Sequence, residues 1–187
     1  MTLGEAKDKV YMLLDEHSAG GEVEHDEDIE RKMVYFFDIA QKMLSQIKKI
    51  LRAKKITPQP GRTEYLMPTD FRSVYKIWRD GVPCSDRYQW RRGRMIVPEG
   101  DGAKEITVEY FANPAPIRPD AGDEYEFELS EDACECMPYY VAAQNLLPDL
   151  VLDYSVYMQM FNQAVSLLDT AIPGDALRVR QRFFARG

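Results

Sequence analysis

The chain has only two histidines, His17 and His25, and three cysteines, Cys84, Cys134 and Cys136. That supply restricts nucleophilic chemistry. No cysteine lies near either histidine in sequence, so a Cys–His nucleophile has no material, and a serine triad would need a histidine from a polar linker built into a pocket. The surroundings of both histidines favour a solvated linker. Glycine-rich phosphate loops are also missing, because Pro98 to Gly102 precedes a strand pattern and carries no lysine. Long apolar runs are absent as well. Stretches such as Met33 to Phe37 fall far short of the roughly 20 residues a membrane helix needs, and Met1 to Glu16 mixes charges where a secretory peptide would be apolar.

The cysteines form an odd set, and Cys134-x-Cys136 is too close in sequence for a disulfide staple. Metal or redox chemistry would need a second Cys or His pair at zinc-like spacing, and there is none, so packing in a reducing compartment is expected. The acidic run from Glu22 to Glu30 offers hard oxygens at Asp26, Glu27, Asp28 and Glu30, but it fits no EF-hand spacing. It reads instead as a charged helix start, so neither a metal nor a cofactor is expected.

Residues 119–175 contain twelve acids and no base at all. The net charge of −7 conceals this segregation: residues 1–30 hold ten acids and two bases, residues 31–118 nine acids and eighteen bases, and residues 176–187 four arginines alone. So uneven a field suits a molecule that contacts something charged, its own copies included. The 45% hydrophobic and 29% charged fractions are those of an ordinary globular chain, and 187 residues fit one domain with an elaboration.

Periodicity supplies the elements. Leu3, Ala6, Val10, Leu13 and Leu14 predict a helix from about Thr2, a candidate N-cap, to Glu16, ended by Ala19-Gly20-Gly21. A stripe from Ile29 through Met33, Phe36, Phe37, Ala40, Met43, Leu44 and Ile47 to Ile50 predicts a long core-facing second helix from about Asp26 to Arg52, with a basic last turn. Pro58, Pro60 and Gly61 then give way to strand formers. Strands are predicted at Thr63 to Leu66, Ser73 to Arg79, Asp86 to Trp90, Met95 to Val97 and Glu105 to Phe111, the last with clean alternation. The short connections suggest an antiparallel meander.

Three prolines between Asn113 and Asp123 mark an extended return to helices. Ser130 is the candidate N-cap of a third helix, which Pro138 should interrupt. Tyr139 to Leu147 and Asp149 to Thr170 complete the helical set. The expected class is therefore α+β: a bundle of about four helices with an inserted antiparallel β-meander and an extended C-terminal tail. The corresponding segments are 1–56, 62–112, 129–171 and 172–187.

Two segments carry interaction chemistry. Arg87, Trp90, Arg91, Arg92 and Arg94 cluster around a predicted hairpin tip, where arginines interleaved with aromatics suit nucleic-acid contact. The same residues suit a soluble tip or a contact with a neighbouring subunit. In the tail, Leu177, Arg178, Val179, Arg180, Arg182, Phe183 and Phe184 alternate charge with apolar anchors. Such a segment either folds back on its own bundle or, the favoured reading, is buried against another protein.

A pattern across residues 62–161 resembles the head-to-tail adaptor (connector, gatekeeper or head-completion) family of tailed bacteriophages. It comprises Tyr65-Leu66-Met67-Pro68-Thr69-Asp70-Phe71, Ile77-Trp78-Arg79-Asp80-Gly81, Tyr88-Gln89-Trp90, and Ile106-Thr107-Val108-Glu109-Tyr110 followed by Asn113-Pro114. It continues with Leu129-Ser130-Glu131-Asp132, Tyr139-Tyr140-Val141-Ala142-Ala143, and a last helix bearing Tyr157 and Phe161. Order and spacing carry the likeness.

The resemblance implies a structural virion protein, not an enzyme, in the neck of the particle and, during assembly, in the host cytoplasm. It implies a ring of own copies, commonly a dodecamer, between a portal protein and a tail-side neck or tail protein. Genomic DNA would pass through the channel without sequence-specific binding, and no membrane would be involved. The arm from Leu177 to Phe184 would dock on the portal. The competing reading is a nucleic-acid-binding module that uses the basic hairpin 87–94; an enzyme with a small acidic site is a third.

Overall fold

A computed structural model describes residues 1–15, 27–84, 87–146 and 153–169. The chain is α+β and divides into two compact units, one of residues 1–48 with 114–187, the other of residues 49–113.

The first unit is helical, with α1 (Leu3–Asp15), α2 (Glu27–Leu44), the single turn α3 (Glu131–Cys134), α4 (Met137–Leu146) and α5 (Asp153–Ser166). α1 starts in a reciprocal capping box: Thr2 Oγ1 accepts from Glu5 N at 3.2 Å, and Glu5 Oε2 accepts from Thr2 N at 2.8 Å. α4 lies at the centre, packed by α1, α2 and α5. Its Met137, Val141, Ala142 and Ala143 are fully buried, and the paired alanines let neighbouring helices approach closely. Leu3, Ala6 and Val10 of α1, Met33, Phe37, Ala40 and Leu44 of α2, and Tyr157 and Phe161 of α5 fill the remaining core.

Lys7 joins the start of α1 to the 123–126 segment. Its ammonium lies 2.8 Å from Asp123 and 3.4 Å from Glu30. Burial alone would lower its pKa, but the two carboxylates outweigh that and hold it above the ordinary lysine value.

Two helix expectations need correction. α2 ends at Leu44, not near Arg52, because Gln46 N and Ile47 N tighten onto carbonyls three residues back and Ser45 Oγ donates to Lys42 O at 2.8 Å. Residues Ile50–Ile56 then form a strand, paired over seven residues with Ile106–Ala112. Ser130 stands at the N-cap of α3, but its side chain makes no capping bond. The break expected at Pro138 falls earlier, at residues 135–136; Pro138 sits in the first turn of α4, where its missing N–H is not needed.

Among the described residues the second unit holds seven strands: β1 (Ile50–Ile56), β2 (Glu64–Leu66), β3 (Phe71–Arg79), β4 (Val82–Pro83), β5 (Gln89–Arg91), β6 (Arg94–Ile96) and β7 (Ile106–Ala112). All pairs are antiparallel, but they make two sheets, ordered β1-β7-β3-β4 and β2-β6-β5. The expected simple meander is thereby corrected: β2 leaves the sheet of its chain neighbours to pair with β6, and β7 inserts between β1 and β3. The inward rows of both sheets, among them Ile56, Ile77, Met95, Ile106 and Val108, form one core. Full burial of side chains such as Ile106 and Val108 contributes about 2 kcal/mol each.

Both tight hairpins use mirror-image turns with φ positive at the two central residues, Asp80 (51°) with Gly81 (81°) and Arg92 (47°) with Gly93 (73°).

Candidate functional site

The β5–β6 hairpin starts from a buried carboxylate. Asp101, in the loop before β7, has a side chain only 2% exposed. Arg79 Nε at the end of β3 donates to its Oδ2 at 3.2 Å, Tyr88 Oη donates to the same oxygen at 3.2 Å, and Arg87 Nε lies 2.8 Å from Oδ1. A further Arg79 N–H reaches the Asp101 carbonyl oxygen. Burial first, then the neighbouring Asp101 charge, pushes the Tyr88 hydroxyl up to about 12, so it stays protonated and remains a donor. One loop carboxylate thus fixes the base of the hairpin to β3.

Trp90 on β5 is 37% exposed, and its ring is stacked on Phe71 of β3 with centroids 5.5 Å apart and planes inclined by 13°. Phe71 in turn meets Tyr110 at 5.5 Å. Opposite Trp90 across the sheet stand Met95 and then Tyr65, both buried, so this row faces the core. The alternate row, Leu66, Arg94 and Arg91, is exposed, and Leu66 is 58% accessible. Arg94 pairs with Glu64 at 3.3 Å.

The structure therefore sorts the five hairpin residues singled out in the sequence. Arg87 and Arg94 are paired with Asp101 and Glu64, Trp90 is engaged with Phe71, and Arg91 and Arg92 are exposed with no carboxylate partner among the described residues. Asp101, Phe71 and Leu66 complete the arrangement. Phe71 lies within the Tyr65–Phe71 motif noted above, whereas nothing in the Pro98–Gly102 turn marks Asp101 as a partner of two arginines. Leu177, Arg178, Val179, Arg180, Arg182, Phe183 and Phe184 lie outside the described residues, as do His17, His25 and Asp26.

Charge follows the two units. Residues 49–113 carry 13 bases and 8 acids, a net +5, and the helical unit carries 11 bases and 23 acids, a net −12. A cavity of about 440 Å³ lies between the Pro58–Thr63 and Val97–Ala103 loops, with Glu99 and Arg62 as charged lining besides Asp101. Asp101 is already engaged by its two arginines and a tyrosine, so it is poorly placed as a free acid or base. The Cys134 and Cys136 thiols are buried and donate to Leu129 O and Asp132 O. Burial pushes Cys134 up to about 11, leaving little thiolate at neutral pH.

The chain matches no model of a known protein family, and no curated protein matches it in sequence.

Proposed function

We propose that this chain is a structural subunit of a tailed-phage neck: a head-to-tail adaptor that assembles as a ring between portal and tail and leaves a channel for DNA. The observation that carries the reading is the opposition between its units, a net +5 β unit inserted into a net −12 helical unit. Closed rings need different patches of each subunit to meet, and segregated charge supplies complementary patches. Acidic helices along a channel would let DNA slide past without adhering. The arginine-bound state of Asp101 and the buried thiols support a non-enzymatic role.

The C-terminal segment, with Phe183 and Phe184 as anchors, is assigned to portal docking, as the resemblance implies. Co-sedimentation of the chain with an isolated portal ring, with and without deletion of Asp175 to Gly187, tests this assignment. Binding that disappears with the deletion supports it, and equal binding by both forms, or none by either, contradicts it.

A nucleic-acid-binding module is the second reading, favoured by Arg91 and Arg92, which are exposed and have no carboxylate partner among the described residues. Affinity for duplex DNA that falls steeply with salt and vanishes when Arg91, Arg92 and Arg94 become alanine would establish it.

A further inference from the structure

We propose that the exposed face of the β2-β6-β5 sheet, with the turn at Arg92, is a docking surface for the acidic helical unit of a second copy of this chain. The proposal rests on the ring-forming reading above and names the surface that would serve it.

Three observations lead there. The first is the sorting of the arginines. Glu64 neutralises Arg94 and Asp101 engages Arg87, so among the described residues the hairpin's positive charge without a carboxylate partner lies at Arg91 and Arg92, at the end of the hairpin. The second is the backbone at Arg92. Its φ of 47° is a conformation that mirror-image turns usually assign to Asn, Asp or Gly, and the companion turn obeys that preference with Asp80. Asp80 uses its side chain within its own unit, accepting from Lys104 N and Glu105 N at 2.9 Å each. Arg92 has no comparable partner among the described residues to offset the strain.

The third observation is the apolar surface beside the charge. Leu66 heads the exposed row that continues through Arg94 to Arg91, and an exposed leucine beside arginine suits a protein contact. Nucleic acid would be better served by a free aromatic face for base stacking, and the Trp90 ring is already stacked on Phe71. A polyanion would also meet a chain whose larger unit repels it. A second copy brings the complement: a helical unit of net −12, within which residues 119–175 hold no base to compete. A positive sheet face on one copy and a negative helical face on the next are different patches, as ring closure requires.

The test uses the full chain in mixed isotope-labelled and unlabelled form. The Arg92→Lys variant, which keeps the charge and adds a reactive amine, is treated with a zero-length carbodiimide cross-linker. Mixed-isotope peptides should join the amine at position 92 to carboxylates within 1–48 or 114–187 of the other copy. In parallel, the Arg91→Ala/Arg92→Ala variant should lose assembly by light scattering. Arg92→Asn, which suits the turn, serves as a second variant whose folding is secure and should weaken assembly in the same direction.

Assembly of unchanged mass in both variants, without such cross-links, overturns the docking surface and leaves the ring reading standing. A wild-type chain that stays monomeric at low salt at every protein concentration overturns both. Duplex DNA binding that the double alanine variant loses, with no links between copies, overturns the proposal in favour of nucleic acid.

Discussion

The Trp90 indole lies on the ring of Phe71 at 5.5 Å and nearly parallel, so the one tryptophan of the basic hairpin joins its sheet to the neighbouring sheet. Offset stacking of this kind contributes about 1 kcal/mol beyond the area it buries. A double-mutant cycle of Phe71→Leu and Trp90→Leu, read by urea unfolding, should return a coupling of about that size. A coupling near zero would mean that the rings merely lie close.

Asp101 should matter more to stability than its exposed loop suggests. Asp101→Asn weakens two arginine contacts around a side chain that is 2% exposed, and the expected loss is about 2 to 3 kcal/mol. Arg87→Ala removes a half-exposed partner and should cost below about 1 kcal/mol. Urea midpoints of the two variants check the order, and equal losses would contradict a carboxylate-centred hub.

Arg92 predicts a trade between stability and assembly. Arg92→Gly, in the same mirror-image turn, should raise stability by about 0.5 to 1 kcal/mol because glycine accepts positive φ. The same variant should assemble less well. A change that weakened both folding and assembly would show that the arginine serves the turn itself.

Acid should destabilise the Asp80 turn. Hydrogen bonds from Glu105 N and Lys104 N hold the Asp80 carboxyl below its ordinary value of 3.8. A lowered folded pKa gives stability that is present above 3.8 and is lost as pH falls through the folded value. Asp80→Asn keeps the turn geometry and the acceptor oxygen without the charge. The stability difference between wild type and this variant, measured by urea unfolding, should therefore shrink from pH 6 to pH 3, and a constant difference would contradict the assignment.

Local pattern was informative where burial and period coincide. Ile106, Val108 and Tyr110 alternate with Thr107 and Glu109, and β7 follows that alternation with the first three buried. Thr2, Leu3, Ala6 and Val10 likewise place α1 and its cap. The helix predicted to reach Arg52 overruns into β1 because Ile47, Ile50 and Leu51 continue the α2 stripe, while the strand is decided by pairing with residues fifty or more positions away. The same distance hides the sheet order, since Tyr65 reaches Met95 and not its chain neighbours. At the candidate site, the sequence marks the basic hairpin but cannot show which arginines are spent, because Asp101 and Glu64 approach Arg87 and Arg94 only after folding.

Copies of this chain are proposed to close into a ring through charged, unlike surfaces. Light scattering of the purified full chain at low and at high salt tests it most directly, because a contact between exposed charges weakens once the screening length falls well below about 10 Å. The expected result is a closed assembly of about a dozen copies at low salt that falls to smaller species at high salt. A stable dimer, unchanged by salt and able to bind duplex DNA, would contradict it.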